Sequence, residues 1–339
     1  MALWVAPAGA TVTTLAAQTE QGLSFVQAML FGLVEGFTEF LPISSTGHLL
    51  VLARALDVGQ HGKAEDAIKS YEIAIQSGAI LAVAGLYRHR FLTMIEGVTG
   101  RSAEGRRVLI GVVIAFIPAA LVGVVLESAI KDVLFGVGPV LIAWVAGGVL
   151  ILVLTRAGVL KPREGKVLEQ LTPRDAVVIG VAQVAALWPG TSRSLVTIVA
   201  ALLLGYSMMA AVEFSFLLGF VTLGAATAYQ VLKDGQEMID VFGWFTPLVG
   251  LVFAFLGAAV SIKWMVGYLE RHDLSIFGWY RLGIATVVGN AGRYRLDMSG
   301  PGFHADIDDV ARGLVAVLDA CDPEAEPEFR DWRGTIRRW

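Results

Sequence analysis

Cysteine and charge are both scarce in this sequence. Cys321 is the single cysteine among 339 residues, which excludes an intramolecular disulfide and a metal site built from cysteine ligands. Charged residues make up 17% of the chain, whereas a soluble globular domain usually carries about 25%. The sequence has no glycine-rich phosphate loop of the GxxxxGK type and no basic stripe typical of nucleic-acid binding. We therefore expect neither a P-loop enzyme nor a nucleic-acid partner.

The missing charge is concentrated in four apolar runs. No Asp, Glu, Lys or Arg occurs in residues 108–126, 133–155, 214–232 or 241–262. Each run has about 19 residues or more, enough for a helix to cross a hydrocarbon core of roughly 30 Å. A soluble protein could hardly bury four such helices. We predict an all-α polytopic membrane protein whose partner is the bilayer.

A polar stretch near the start of the chain, residues 35–48, interrupts the apolar sequence. Glu35 and Glu39 are four residues apart, so on a helix both carboxylates leave the same face. Pro42 cannot continue that helix undisturbed, because its ring lacks a donor and clashes with the preceding turn. Ser44 and Ser45 then occupy N-cap positions before a second helix, whose first turn contains a histidine. The stretch predicts a helix, a break and a helix, with ionisable groups gathered at the break.

The same pattern returns in residues 175–205. Two apolar segments flank a second break at Trp188-Pro-Gly-Thr-Ser-Arg-Ser194, which parallels Leu41-Pro-Ile-Ser-Ser-Thr46 at the first. Between the breaks we predict three crossings, over 71–87, 108–126 and 137–155. An odd number of crossings inverts the second copy, and inverted repeats with broken helices place a binding site near the bilayer midplane.

The crossing pattern divides the chain into three parts. Residues 1–22 are predicted to be a loose N-terminal segment, and residues 292–339 a polar, acidic C-terminal tail. The membrane domain covers 23–291, with repeat one at about 23–155 and repeat two at about 175–291. Three further crossings complete a predicted set of six: 212–232, 241–262 and 274–291.

Loop charge predicts the orientation. The loops 88–107 and 156–174 are basic and lie on one side, because two crossings separate them, so that side should be cytoplasmic. Residues 60–70 are predicted to form a solvated loop. Residues 233–240 should then form a loop on the outer side, together with both termini, and we expect the active site to face outward.

Glu35 and Glu39 are the candidate metal ligands. A charged residue at membrane depth costs about 2.5–3.5 kcal/mol on insertion scales, so such residues tend to mark function. Two neighbouring carboxylates repel unless they share a proton or hold a cation, and Mg²⁺ or Ca²⁺ takes oxygen ligands. Alternatively, the glutamates face water and cap a helix. For His48 the alternative is a structural role, as a hydrogen-bonded histidine in the core.

Arg193 is the candidate phosphate ligand. It is the only charged residue between Asp175 and Glu213, so it lies at membrane depth without a sequence-local partner. It follows residues 190–192 at a helix start, where free N–H groups and the positive dipole end favour an anion. Its guanidinium matches a phosphate in a fork geometry. The alternative is a structural ion pair with one of the two glutamates. In a membrane, the phosphate should be attached to a lipid.

These motifs resemble the signature of the undecaprenyl pyrophosphate phosphatase family, the bacitracin-resistance type. The likeness covers roughly residues 23–290 and includes the Tyr280-Arg281 stretch. Its most specific parts are Glu35-x-x-x-Glu39, Ser44-Ser-Thr-Gly-His48 and Pro189-Gly-Thr-Ser-Arg-Ser194, followed by Thr197. The stretch 219–222 lacks a proline that the family pattern would place there.

The resemblance implies six transmembrane helices plus two re-entrant helix pairs in inverted repeats. It implies hydrolysis of undecaprenyl diphosphate to undecaprenyl phosphate and inorganic phosphate in the bacterial inner membrane. That reaction recycles the lipid carrier for peptidoglycan synthesis, and abundant enzyme confers bacitracin resistance. A divalent cation, Mg²⁺ or Ca²⁺, is the implied cofactor, and a homodimer is left open.

The resemblance also assigns roles to individual residues. The catalytic set is Glu35, Glu39, Ser45, His48 and Arg193, of which the two glutamates are associated with the metal. The substrate-binding set is Ser44, Thr46, Gly190, Thr191, Ser192, Ser194 and Thr197. Whether Ser45 or His48 attacks phosphorus, or His48 activates water, stays open.

Two other functions compete with this interpretation. A transporter with a midplane site could flip a polyprenyl phosphate without hydrolysing it, and it would tolerate loss of His48 or Ser45. The other large class of lipid phosphatases needs a histidine about six residues after its Ser-Arg motif. No histidine follows Arg193 before His272, so we reject that class.

Overall fold

The computed structural model describes residues 23–58, 63–160, 164–294, 329–330 and 336–337. Its α-helices, in chain order, are α1 Phe25–Glu39, α2 Ser45–Ala55, α3 Lys63–Leu86, α4 Arg88–Val98, α5 Ala103–Leu134, α6 Val137–Arg156, α7 Pro173–Gln183, α8 Arg193–Leu203, α9 Met208–Phe242, α10 Phe245–Leu269 and α11 Ser275–Tyr294. Short 3-10 helices cover Leu168–Gln170 and Val184–Leu187.

The chain divides into two compact units, Met1–Leu296 and Asp297–Trp339. All the helices that the structure describes belong to the first unit. In the second, strand β1 (Phe329–Arg330) pairs antiparallel with β2 (Ile336–Arg337). The predicted N-terminal segment, 1–22, and most of the predicted acidic tail lie outside the described residues.

Four helices of the described chain are long and apolar enough to cross a membrane: Ala103–Leu126, Val137–Arg156, Met208–Gln236 and Phe245–Leu269. Large apolar side chains on them face outward, among them Val124 and Leu232. A bilayer solvates such faces and requires the backbone hydrogen bonds that helices make within themselves. The chain is therefore an all-α, multi-pass membrane protein, as predicted. With 24 and 20 residues, α3 and α11 match the other two predicted crossings, although the total of six stays a prediction.

Three segments predicted as loops are wholly or partly helical. Most of 60–70 belongs to α3, residues 88–98 of the predicted loop 88–107 form α4, and 233–240 continue α9. Polar residues such as Lys, Glu and Gln are good helix formers. A helix can therefore continue beyond the apolar segment that crosses the membrane. Buried side chains also hold these extensions in the core, namely Ala67, Ile68, Met94 and Met238.

The helix carrying the two glutamates is held by close packing. Along its length α1 packs against α10, and it also contacts α3 and α2. A methyl group at Gly32 would overlap the backbone of Gly250, and one at Gly36 would overlap Ala254 and Ala258. Small residues let membrane helices approach this closely and gain dispersion contacts. The carboxylates of α1 therefore project from a fixed backbone.

Candidate active site

The first break joins α1 to α2 through residues 40–44. As predicted, α1 ends just before the proline turn, and His48 falls in the first turn of α2. Ser44 occupies the N-cap position of α2, as predicted, but its side chain makes no capping hydrogen bond. Instead Ser44 has φ 73°, in the left-handed region that costs a non-glycine residue free energy. Backbone strain of this kind is concentrated at functional sites in proteins.

Ser45 and Glu39 meet across the first break. The Ser45 hydroxyl donates a short hydrogen bond to Glu39 Oε2, and both side chains are buried. The other oxygen, Glu39 Oε1, lies 3.4 Å from Nη2 of Arg193 on the second break. Glu39 thus contacts a hydroxyl on one side and a guanidinium on the other, as a base beside a serine nucleophile would.

Glu35 is fully buried one turn earlier on α1. Neither of its carboxylate oxygens has a hydrogen-bond partner among the residues that the structure describes. Glu39 and Glu72 lie close enough to repel a negative charge on it. Burying a carboxylate without a partner is costly, so Glu35 calls for a proton or a bound cation.

The second break approaches the first through its serines. Ser192 caps α8, its hydroxyl accepting a hydrogen bond from the Leu195 N–H at 3.3 Å. The hydroxyls of Ser192 and Ser194 also donate to the carbonyl oxygen of Leu41, at 3.2 and 3.0 Å. The two breaks are therefore in direct contact, as the interpretation as repeats requires.

Arg193 projects from the start of α8 toward the first break. Its Nη1 donates to the carbonyl oxygen of Ser215 at 2.8 Å, and its guanidinium lies over the ring of Phe40, 5.4 Å from the centroid. Its Nε is buried without a hydrogen-bond partner in the described chain. A methyl group at Gly219 would overlap the guanidinium, so the glycine makes room for it. Arg193 thus keeps a donor for a further ligand.

Both ring nitrogens of His48 are engaged by protein groups. Nδ1 lies 2.6 Å from the Ser44 carbonyl oxygen, and Nε2 lies 2.8 Å from the hydroxyl of Tyr280 on α11. A carbonyl only accepts, so Nδ1 carries a proton, and in the neutral ring Nε2 accepts from Tyr280. The Tyr280 ring stacks on the imidazole at an interplanar angle of 14°. His48 therefore supports the first break and has no free nitrogen in this arrangement.

The remaining residues of the predicted binding set lie around the same point. The Thr197 hydroxyl donates to the Arg193 carbonyl oxygen at 2.9 Å and lies 2.7 Å from the Ser215 hydroxyl, so it holds the start of α8 against α9. Thr46 and Thr191 are half-buried, one at each break, and Gly190 is buried with φ 92°.

An apolar cavity of about 510 Å³ adjoins the first break. Its walls come from α1, the turn after it, α10 and α11, and they include Leu41, Trp264, Phe277 and Tyr280. Tyr280, which binds His48, therefore also forms part of the wall of an apolar space. Such a space accepts a hydrocarbon chain rather than a charged group.

A separate charged cluster surrounds Arg90 on α4. Arg90 contacts Glu104 at 2.6 Å, Glu213 at 2.7 Å and Glu169 at 3.0 Å. Burial tends to raise the pKa of Glu169, but hydrogen bonds and the charge of Arg90 outweigh burial, and its pKa is lowered. This cluster holds α4 to α5, α9 and the segment before α7, and it shares no residue with the two breaks.

Sequence reasoning missed two residues that bind the breaks from α11, Tyr280 and Arg281. Arg281 makes all its hydrogen bonds to backbone carbonyl oxygens, two of them in the breaks. Both residues stood out only as part of a family resemblance. A charge inside an apolar crossing was the signal that could have identified Arg281.

The chain is similar to known proteins over most of its length. Residues 28–287 match the family model described as bacitracin resistance protein BacA. An undecaprenyl-diphosphatase of Sorangium cellulosum (strain So ce56) is 43% identical over 263 residues, covering 77% of this chain and 84% of the relative. Relatives of the same name from Methylibium petroleiphilum and Nitrosomonas europaea are 41% and 42% identical, each covering 78% of this chain and 94% of its own length.

The matched region contains both breaks and every residue of the site described above. A family match over most of the chain, with relatives above 40% identity, is sufficient to assign membership. The chain belongs to the bacitracin resistance protein BacA family.

Proposed function

We propose that this protein is an undecaprenyl-diphosphatase of the bacterial inner membrane, releasing inorganic phosphate from undecaprenyl diphosphate and so recycling the lipid carrier. The proposal rests mainly on one observation. Glu39 contacts the Ser45 hydroxyl on one side and the Arg193 guanidinium on the other. A base, a nucleophile and a phosphate-binding cation thus meet at one buried point, and family membership supports the same activity.

The reaction begins at Ser45. Glu39 takes the hydroxyl proton as Ser45 Oγ attacks the terminal phosphorus of the diphosphate. The bond from that phosphorus to the bridging oxygen breaks, and undecaprenyl phosphate leaves with the electron pair. Water then attacks the phosphoserine, giving inorganic phosphate and restoring the serine hydroxyl. Ser45 is favoured over His48 as nucleophile because only Ser45 touches a base, while both nitrogens of His48 are occupied.

The second break binds the diphosphate in this mechanism. Arg193 has an unpartnered Nε, and the positive end of the α8 dipole lies beside it. Hydrogen-bond donors fixed in a water-poor site stabilise developing charge on phosphate oxygens. The apolar cavity beside Tyr280 would receive the first isoprenoid units of the lipid.

A divalent cation fits the first break. The described residues contain no group of three or more His, Cys, Asp or Glu that could hold a metal by themselves. Mg²⁺, however, is commonly held by one or two carboxylates plus substrate phosphates and water. The unpartnered carboxylate of Glu35, with Glu39, would hold Mg²⁺ or Ca²⁺. When bound, such an ion offsets the charge of the diphosphate.

Phosphate release tests the proposal. Purified protein in detergent would be given undecaprenyl diphosphate with Mg²⁺ and then with EDTA, in wild-type, His48→Ala and Arg193→Ala forms. We expect metal-dependent release in the wild type and a loss of about 100-fold or more for Arg193→Ala. His48→Ala should lose activity because the first break loses its tie to Tyr280. Folded wild type that releases no phosphate would contradict the proposal.

A lipid transporter remains the second candidate, because the inverted repeats and the contact between the breaks suit a midplane site. The Ser45–Glu39 hydrogen bond favours hydrolysis, since transport alone does not need an activated hydroxyl. Movement of labelled undecaprenyl phosphate across vesicles, without phosphate release and unaffected by Ser45→Ala, would favour transport.

A further inference from the structure

Arg281 is a buried arginine that the proposed mechanism does not use. It lies on α11, and its side chain is fully buried. Its donors reach four backbone carbonyl oxygens: Trp144 at 3.3 Å, Pro42 at 3.2 Å, Gly190 at 2.9 Å and Ala143 at 2.8 Å. No carboxylate in the described ranges pairs with it. Four carbonyl dipoles take the place of a counter-ion.

The four carbonyl groups come from three separate places in the chain. Pro42 lies in the first break, Gly190 lies in the second, and Ala143 and Trp144 lie on α6. A guanidinium is planar and rigid, so its donors point in fixed directions. All four oxygens can be satisfied only when the two breaks and α6 stand in one arrangement. Arg281 is therefore a direct link between the breaks, separate from the Arg193–Glu39 contact.

The surrounding backbone is shaped to admit this side chain. A methyl group at Gly147 on α6 would overlap the guanidinium. Gly190 has φ 92°, a conformation that favours glycine, and a Cβ there would lie 2.9 Å from Val140 Cα. Both glycines let α6 and the second break close around Arg281. Its four hydrogen bonds thus belong to a tightly packed junction.

We propose that Arg281 is a positioning residue for hydrolysis, fixing the two breaks at the spacing where Arg193 meets the Glu39–Ser45 pair. The proposal rests on the function proposed above. In that mechanism Arg281 does not contact the diphosphate. It acts only through the carbonyl groups of Pro42 and Gly190. Loss of the link therefore lowers turnover more than substrate binding, because the phosphate-binding groups of the second break remain.

Steady-state kinetics on folded protein test this. We would compare Arg281→Met, Arg281→Lys and the control Arg271→Met, which removes an exposed arginine between α10 and α11. Arg281→Met should lower kcat about 100-fold with KM within about threefold, because small misplacements of catalytic groups cost about that much. Lysine keeps the charge but has three donors from one atom, so Arg281→Lys should lose about 10-fold. The control should match wild type.

Two results would overturn the proposal: a kcat within threefold of wild type in folded Arg281→Lys, or a change confined to KM. If Arg281→Met does not fold, the kinetics of Arg281→Lys alone test the proposal.

If wild type releases no phosphate, the proposed function fails, and a distance measurement tests the role of Arg281 instead. Spin labels on cysteines at the exposed positions Phe37 and Trp188, with Cys321→Ser, report the spacing of the breaks. A broader distribution in Arg281→Lys supports the link, and an unchanged one contradicts it.

Discussion

At the first break a serine donates a hydrogen bond to one acid, Glu39, and a second acid lies one turn earlier on α1, whereas at the second break serines and an arginine reach across to the first. Ser192 caps α8, but the Ser44 side chain does not cap α2. Gly190 takes the left-handed conformation freely, while Ser44 is forced into it. The two breaks thus share a helix–turn–helix plan, and the proposed function assigns reaction to the first and binding to the second.

Serine substitutions at the two breaks should have the most unequal effects. Ser45→Ala removes the proposed nucleophile, so we expect kcat to fall about 10³-fold or more. Ser192→Ala removes a helix cap and a hydrogen bond to Leu41, so it should cost about 1 kcal/mol of stability and about 10-fold in kcat at most. Phosphate release and thermal unfolding in detergent would measure both. Ser45→Ala with kcat within tenfold of wild type would show that the two breaks do not divide the work in this way.

The space around Arg193 gives a smaller and more selective test. A methyl group at Gly219 would overlap the Arg193 guanidinium, which would have to move from the position where it contacts Glu39. We expect Gly219→Ala to lower kcat/KM about 10- to 100-fold. Gly224 on the same helix is the control, because nothing lies within 4 Å of a Cβ placed there. Gly224→Ala should keep full activity, and equal losses in both variants would mean that the cause lies in α9 itself.

The ion cluster around Arg90 should affect stability and leave the chemistry unchanged. Arg90→Met breaks contacts to three glutamates, and we expect Tm to fall by about 2–4 °C with kcat unaltered. The exposed Arg88→Met is the control. A carboxylate with a lowered folded-state pKa stabilises the protein above its unfolded pKa and loses that effect as pH falls through the folded value.

For Glu169, whose pKa is lowered, that loss occurs below the ordinary glutamate pKa of about 4.3. The Tm difference between wild type and Arg90→Met should therefore be largest near neutral pH and shrink in acid. A difference that stays constant from pH 7 to about pH 3 would mean that the stabilisation does not come from these carboxylates.

Sequence patterns within short stretches predicted which residues form the site, but they could not predict which of these residues contact each other. Helical spacing put Glu35 and Glu39 on one face, and the proline and hydroxyl pattern identified both breaks. Spacing alone cannot tell which glutamate meets Arg193, because both leave the same face of α1. The structure shows that Glu39 does, while the carboxylate oxygens of Glu35 have no hydrogen-bond partner among the described residues.

Contacts between distant parts of the chain explain the rest. His48 has its partner at Tyr280, more than two hundred residues away, and no local pattern links them. Hydropathy predicted the apolar central parts of α3 and α9. Both helices extend beyond the predicted crossings, because helix-forming polar residues and buried side chains continue them. Sequence placed Ser44 correctly at the N-cap of α2, but it did not show that the side chain makes no capping hydrogen bond while the Ser44 carbonyl oxygen accepts one from His48.

If the two breaks form one site, Glu39 and Arg193 act as a unit, and a double-mutant cycle measures this coupling. Phosphate release from undecaprenyl diphosphate would be measured for wild type, Glu39→Gln, Arg193→Lys and the double variant, each checked for folding. Residues acting as one unit give strongly non-additive losses. We expect the double variant to lose little more than the worse single variant. Losses that simply multiply would mean that the breaks act independently, and would contradict this account.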